Sequence, residues 1–208
     1  MSSTTLYRLS GFSLIIGSVL GVFGAILGML GSDPASTMTV AGAWVGFIGG
    51  TLGMLGLPGM YASQAQRAGI LGLIGTTLML IYVLILGTFG NALNAIILPF
   101  IVTHAPALAK TDLPALDLFF MIGGLLGVVG GILLGIATMR AAILPRWAGL
   151  LLMIGVVIQF GGDFLQLPIA NLGFLCVMIA FAWLGGAMWS KRQDTSVSSE
   201  LPASAVRI

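Results

Sequence analysis

The sequence predicts an all-α membrane protein, a polytopic bundle of six transmembrane helices built as three parallel-repeat helical hairpins. Three observations predict it. Mean hydropathy is +1.13 and only 7% of residues are charged, a balance suited to helices that face lipid rather than water. Six apolar stretches each hold about 20 residues or slightly more, enough to cross a hydrocarbon core of about 30 Å. The charges also separate by side. Arg8, Arg67, Arg140, Arg146, Lys191, Arg192 and Arg207 fall at one set of helix ends, whereas Lys110, Asp33, Asp112, Asp117 and Asp163 fall at the other. Basic residues stay cytoplasmic, so both termini are expected inside a bacterial-type plasma (inner) membrane, with the acidic ends outside.

The first span, Leu9–Gly31, is longer than the roughly 7–15 apolar residues of a signal peptide and is expected to be retained. Gly17, Gly21, Gly24, Gly28 and Gly31 recur at steps of four and three and therefore share one face. The second span, Thr39–Met60, repeats the device with Gly42, Gly46, Gly49, Gly53 and Gly56. The third, Ala68–Thr88, carries Thr76, Thr77 and Tyr82 at depth, and the threonine hydroxyls are expected to bond their own helix carbonyls. A longer connection, 90–117, follows. Its start, Asn91-Ala-Leu-Asn94, reads as a short interfacial helical segment before Pro99.

Asp117 opens the fourth span, Leu118–Met139, where the helix dipole favours a carboxylate. Gly123, Gly127, Gly131 and Gly135 then place a small residue on every turn. The fifth span, Trp147–Leu167, puts Gln159, Asp163 and Gln166 at i, i+4 and i+7, one face near its outer end. Asp163 lies about 25 Å along the helix from Arg146, near the membrane boundary rather than its middle. The sixth span, Pro168–Trp189, holds the single cysteine, Cys176, so neither an intramolecular disulfide nor a cysteine-based metal site is available. Residues 1–192 thus read as the transmembrane domain and 193–208, rich in serine, as a disordered cytoplasmic tail.

The odd-numbered spans open alike: Arg8 with Gly11 and Gly17, Arg67 with Gly69 and Gly75, Arg146 with Gly149 and Gly155. In each, the second glycine follows the first by six positions. The even-numbered spans end on Leu55-Gly56, Leu134-Gly135 and Leu184-Gly185, each with a methionine shortly after. This pattern is what predicts three hairpins related about an axis along the membrane normal. In lipid, helices gain little from hydrophobicity when they meet, so glycine faces that permit close backbone approach are expected to supply the packing. Gly17, Gly21, Gly24, Gly28, Gly42, Gly46, Gly49, Gly53, Gly127 and Gly131 are the expected packing positions.

No chemistry announces itself. There is no phosphate-binding glycine loop after a strand, no Ser–His–Asp set, no pair of buried histidines for haem and no mid-span lysine. His104, the one histidine, sits on the long connection, without metal-ligand spacing. The expected reading therefore contains no catalytic residues, no cofactor and no metal. The net charge of +2, carried at helix ends, does not suggest a nucleic-acid partner. The expected partner is the lipid bilayer, with another membrane protein or a second copy of the chain beside it. The leading functional reading is a structural or accessory subunit. The alternative is a small permease or channel for a neutral or weakly polar solute, using an outward-facing vestibule lined by Asn91, Asn94, Gln159, Asp163 and Gln166.

Overall fold

The structure, a computed structural model, describes the backbone of residues 3–199. It contains helices and, among the described residues, no strand. In order these are α1 (Ser3–Leu30), α2 (Thr37–Tyr82), two π-helical stretches (Val83–Gly90 and Leu93–Ile97), α3 (Leu98–His104), a 3-10 turn (Leu108–Lys110), α4 (Pro114–Ala141), α5 (Arg146–Phe164) and α6 (Ile169–Ser199). Five helical stretches are long and apolar enough to cross a membrane.

The second of these, Thr37–His104, runs for 68 residues and contains both the expected second and third spans. It is not one rod. Gly69 takes φ 58° and ψ −154°, outside any helix, and the chain doubles back there. Residues about equally far from Gly69 on either side meet: Gly50 packs on the Gly87 carbonyl, and a methyl group on Gly46 would lie 2.7 Å from Asn91 Oδ1. The Tyr61 hydroxyl also donates to Gly69 O at 3.4 Å. A left-handed φ in this region is open essentially to glycine alone, which is why a turn of one residue suffices.

The expectation for 90–117 is corrected in the same region. Asn91-Ala-Leu-Asn94 is not a separate interfacial turn. It continues the preceding helix, and the axis runs on past Pro99 to His104. The wide π turns explain how. Leu98 N–H donates to Leu93 O, so the helix has already shifted register before Pro99, which sits in the first turn of α3, where a missing N–H costs least. Helix α6 extends to Ser199; the rest of the expected tail, residues 200–208, lies outside the described residues.

Local chemistry explains the other ends. Ser36 caps α2, its hydroxyl accepting from Thr39 N–H at 3.3 Å. Pro114 sits in the first turn of α4, and Pro145 precedes α5 after Ala142 ends α4 in the left-handed conformation. Thr76 and Thr77 donate to Gly72 O and Leu73 O, four residues back.

Neighbouring helices pack side by side in chain order, and α1 closes against α6. Glycines mark each contact. A methyl group added at Gly17 would lie 2.7 Å from Gly53 N and 2.8 Å from Gly49 O; one at Gly24 would lie 2.7 Å from Gly42 O. Gly75 meets the Leu134 backbone, Gly135 meets Gly149 O, Gly155 meets Val177, and Gly185 meets Gly11 O. Of the other glycines expected on these faces, Gly21 meets Met178 of α6, Gly127 the ring of Tyr82 and Gly131 Val156, while Gly28 and Gly53 face open space.

The two ends of the bundle are packed differently. Met60, Leu134, Leu152 and Leu184 are wholly buried, and all belong to the half nearer Arg67, Arg140 and Arg146. Gln64 is buried with them, its amide donating to Thr138 Oγ1 at 3.1 Å between α2 and α4. The half nearer Asp33, Asp117 and Asp163 is hollow.

Candidate vestibule at the acidic end

One hollow at this end has a volume of about 820 Å³. The π-helical stretch forms one wall, with Leu86, Asn91, Leu93, Asn94 and Ile97; the start of α4 forms another, with Asp117, Phe120 and Met121; the end of α5 forms a third, with Gln159, Phe160, Asp163 and Phe164. The connection contributes Leu108, Ala109, Thr111 and Leu113. The lining is mainly apolar, with a few polar groups converging from three elements.

Four of the five residues expected at a vestibule, Asn91, Asn94, Gln159 and Asp163, line this one cavity. Gln166 does not. The helical spacing that placed it on the same face stops at Phe164, and Gln166 lies in the following turn with φ 54°. Pro168 is the physical cause: it restricts the residue before it and ends the helical run. His104 also stays outside, stacked on Phe100 with ring centroids 4.4 Å apart.

Each polar group has a definite setting. Asn91 donates its amide to Gly87 O at 2.8 Å, which turns its oxygen toward Gly46. A larger residue at 46 would have to displace this side chain. Gln159, half-buried, accepts through Oε1 from the Tyr82 hydroxyl at 3.0 Å. Tyr82, Gln159 and Asp163 together line a separate void of only about 10 Å³ beside the cavity. The sequence marked Tyr82 as polar at depth but offered no signal for a partner 77 positions away. Asp117 and Asp163 carry no side-chain hydrogen bond or ion pair among the described residues.

A second hollow, of about 490 Å³, lies across the π-helical stretch, between it, α1 and the first arm of α2. Asn91, Asn94 and Leu98 line both, so this stretch stands as a partition between the two. Gly24, Gly28, Gly42 and Gly46 line the second hollow together with Asp33 and Phe174. The glycine faces thus serve two ends: close contact between α1 and α2, and open space beside it. Among the described residues no three of His, Cys, Asp and Glu come close enough to hold a metal ion.

Comparison with protein-family models, curated proteins and solved structures finds no match to this chain.

Proposed function

We propose that this chain is a multi-pass membrane protein that takes an amphiphilic solute into a vestibule open toward its acidic, outer end. The observation that carries the reading is the cavity of about 820 Å³ with apolar walls and polar groups from three elements. Its size falls within the roughly 300–1,000 Å³ of small-molecule sites. A structural or accessory subunit, the leading expectation from the residues alone, does not by itself account for a hollow of this kind. The solid packing of the opposite half, around Met60, Leu134, Leu152 and Leu184, is what a small permease closed on its inner side requires. The bond between Tyr82 and Gln159, the latter a lining residue, would then tie the cavity wall to the body of the bundle.

In this proposal the long stretch Thr37–His104 crosses the membrane twice, giving six crossings with both termini on the cytoplasmic side of a bacterial-type inner membrane. The reversal at Gly69 supports the double crossing. Two matching interfaces support the hairpin repeat: Gly135 of α4 against Gly149 of α5 with Met139 beside it, and Gly185 of α6 against Gly11 of α1 with Met188 beside it. Single cysteines introduced at Ser36 and Thr111, in a Cys176→Ala background, are expected to react with an impermeant maleimide on intact cells. Cysteines at Gln66 and Ala142 are expected to stay unlabelled until the cells are opened. Reversed labelling overturns the sidedness, and labelling at Gln66 alongside Ser36 overturns the double crossing.

The vestibule itself is tested by filling it. Ile97 lines the cavity and is 47% exposed, so Ile97→Trp adds bulk to empty space rather than to the core. Native mass spectrometry of protein released from nanodiscs is expected to show a small bound molecule on the wild type. At least a tenfold lower occupancy is expected on Ile97→Trp. Equal occupancy in both, or none in the wild type, overturns the reading.

A further inference from the structure

Resting on the vestibule reading above, we infer that the solute is a lipophilic organic cation. The geometry is that of a roomy apolar cavity holding two carboxylates and no cationic group. Asp117 enters from the first turn of α4 and Asp163 from the last turn of α5. No lysine, arginine or histidine lines the space. Lys110 sits between Ala109 and Thr111 on the connection, but it is exposed and not part of the lining.

The chemistry of the walls decides among ligand classes. An anionic headgroup would meet two like charges, both exposed, and no counter-charge in the lining. A hydrated inorganic cation needs a shell of about six to eight oxygens close together, whereas this lining is mostly leucine, isoleucine and phenylalanine over a space far larger than an ion. A neutral amphiphile fits the walls but gains nothing from either carboxylate. A drug-sized organic cation satisfies all of these at once. Its body replaces apolar surface, its charge answers the carboxylates, and the rings of Phe120, Phe160 and Phe164 offer faces that attract a weakly hydrated cation. The two carboxylates are not equivalent. Asp117 lies at a helix N-terminus, whose partial positive charge offsets part of its own; Asp163 lies at a helix C-terminus, where nothing offsets it. Asp163 is therefore the stronger discriminator.

The test uses a pair of ions of nearly the same shape and opposite sign, tetraphenylphosphonium and tetraphenylborate, with uncharged triphenylphosphine oxide as a third probe. Binding to the full-length protein in detergent is measured by equilibrium dialysis. The phosphonium is expected to bind at least tenfold more tightly than either other probe. Asp163→Asn is expected to weaken it about tenfold or more, Asp117→Asn by less, and neither to alter the elution profile on gel filtration, since neither side chain is bonded to the fold. If the three probes bind alike and Ile97→Trp abolishes all three, the vestibule stands and the cation assignment falls. Tighter binding of the borate, or phosphonium binding unchanged in both aspartate variants, also overturns the assignment. If Ile97→Trp leaves phosphonium binding intact, the vestibule reading itself is overturned.

Discussion

Gly49→Leu is expected to lower the melting temperature of the purified protein by several degrees or more. A methyl group at that position would already lie 2.8 Å from Gly21 N and 2.9 Å from Gly17 O. Both are backbone atoms of α1 and cannot rotate away, so the helices must separate. Overpacking of this kind costs about 1–3 kcal/mol and sometimes more, and here dispersion contact is lost over several turns that no hydrophobic gain restores in lipid. Gly53→Ala, one turn further on, provides the contrast. Nothing lies within 4 Å of the added methyl group, so it is expected to be neutral or to stabilise by up to about 1 kcal/mol, as alanine does relative to glycine in a helix. Gly127→Leu falls between, because its side chain meets the ring of Tyr82. It should displace that ring and break its bond to Gln159. Melts followed by circular dichroism in one detergent decide the order. A wild-type melt for Gly49→Leu would mean that α1 and α2 are not in backbone contact.

The second large effect is expected at the reversal. Gly69→Val introduces a β-branched side chain at φ 58°, ψ −154°, a region that non-glycine residues occupy at a cost of about 1–3 kcal/mol. The penalty is purely conformational, since no atom lies within 4 Å of an added methyl group. It also falls on the turn from which the pairs Gly50–Gly87 and Gly46–Asn91 are aligned. A destabilised hairpin should therefore show faster amide exchange in the residues flanking 69 before the rest of the bundle responds. Ala142→Gly is the matched control. Ala142 holds φ 52°, ψ 25°, where alanine itself is strained, and glycine is expected to raise stability by roughly 1 kcal/mol. If Gly69→Val melts as the wild type does and its exchange is unchanged, the turn can be made without glycine.

Much of the site was legible because helix ends are legible. Charges sorted the chain into two sides, and Asn91, Asn94, Gln159 and Asp163 all fell near ends on the acidic side, so their meeting around one cavity needed only that the helices be antiparallel. Gln166 shows the limit of that argument. Its place came from carrying a 3.6-residue period three positions further, and the period ended two residues earlier, at Phe164, under the influence of Pro168. The long connection was misread for the opposite reason. Proline normally signals a stop, but a π turn ahead of Pro99 absorbed the change in hydrogen-bond register and let the helix continue. Nothing in the residue pattern distinguishes a π turn from an α turn.

The amino-acid order was enough to establish that the helices are apolar, roughly where most of them turn, which ends carry positive charge, and which faces are small enough for close approach. Each of these depends on neighbours a few positions apart, whose relations are set by helix geometry alone. Where the space lies is a different kind of property. The half near the arginines is filled and the half near the aspartates is hollow, although both are built from the same leucines, glycines and phenylalanines. That asymmetry, the bond from Tyr82 to Gln159, the pressing of Gly46 against Asn91 and the partition between two cavities all depend on atoms brought together from positions far apart. They follow from how six helical arms share a fixed volume, and only the assembled bundle decides that.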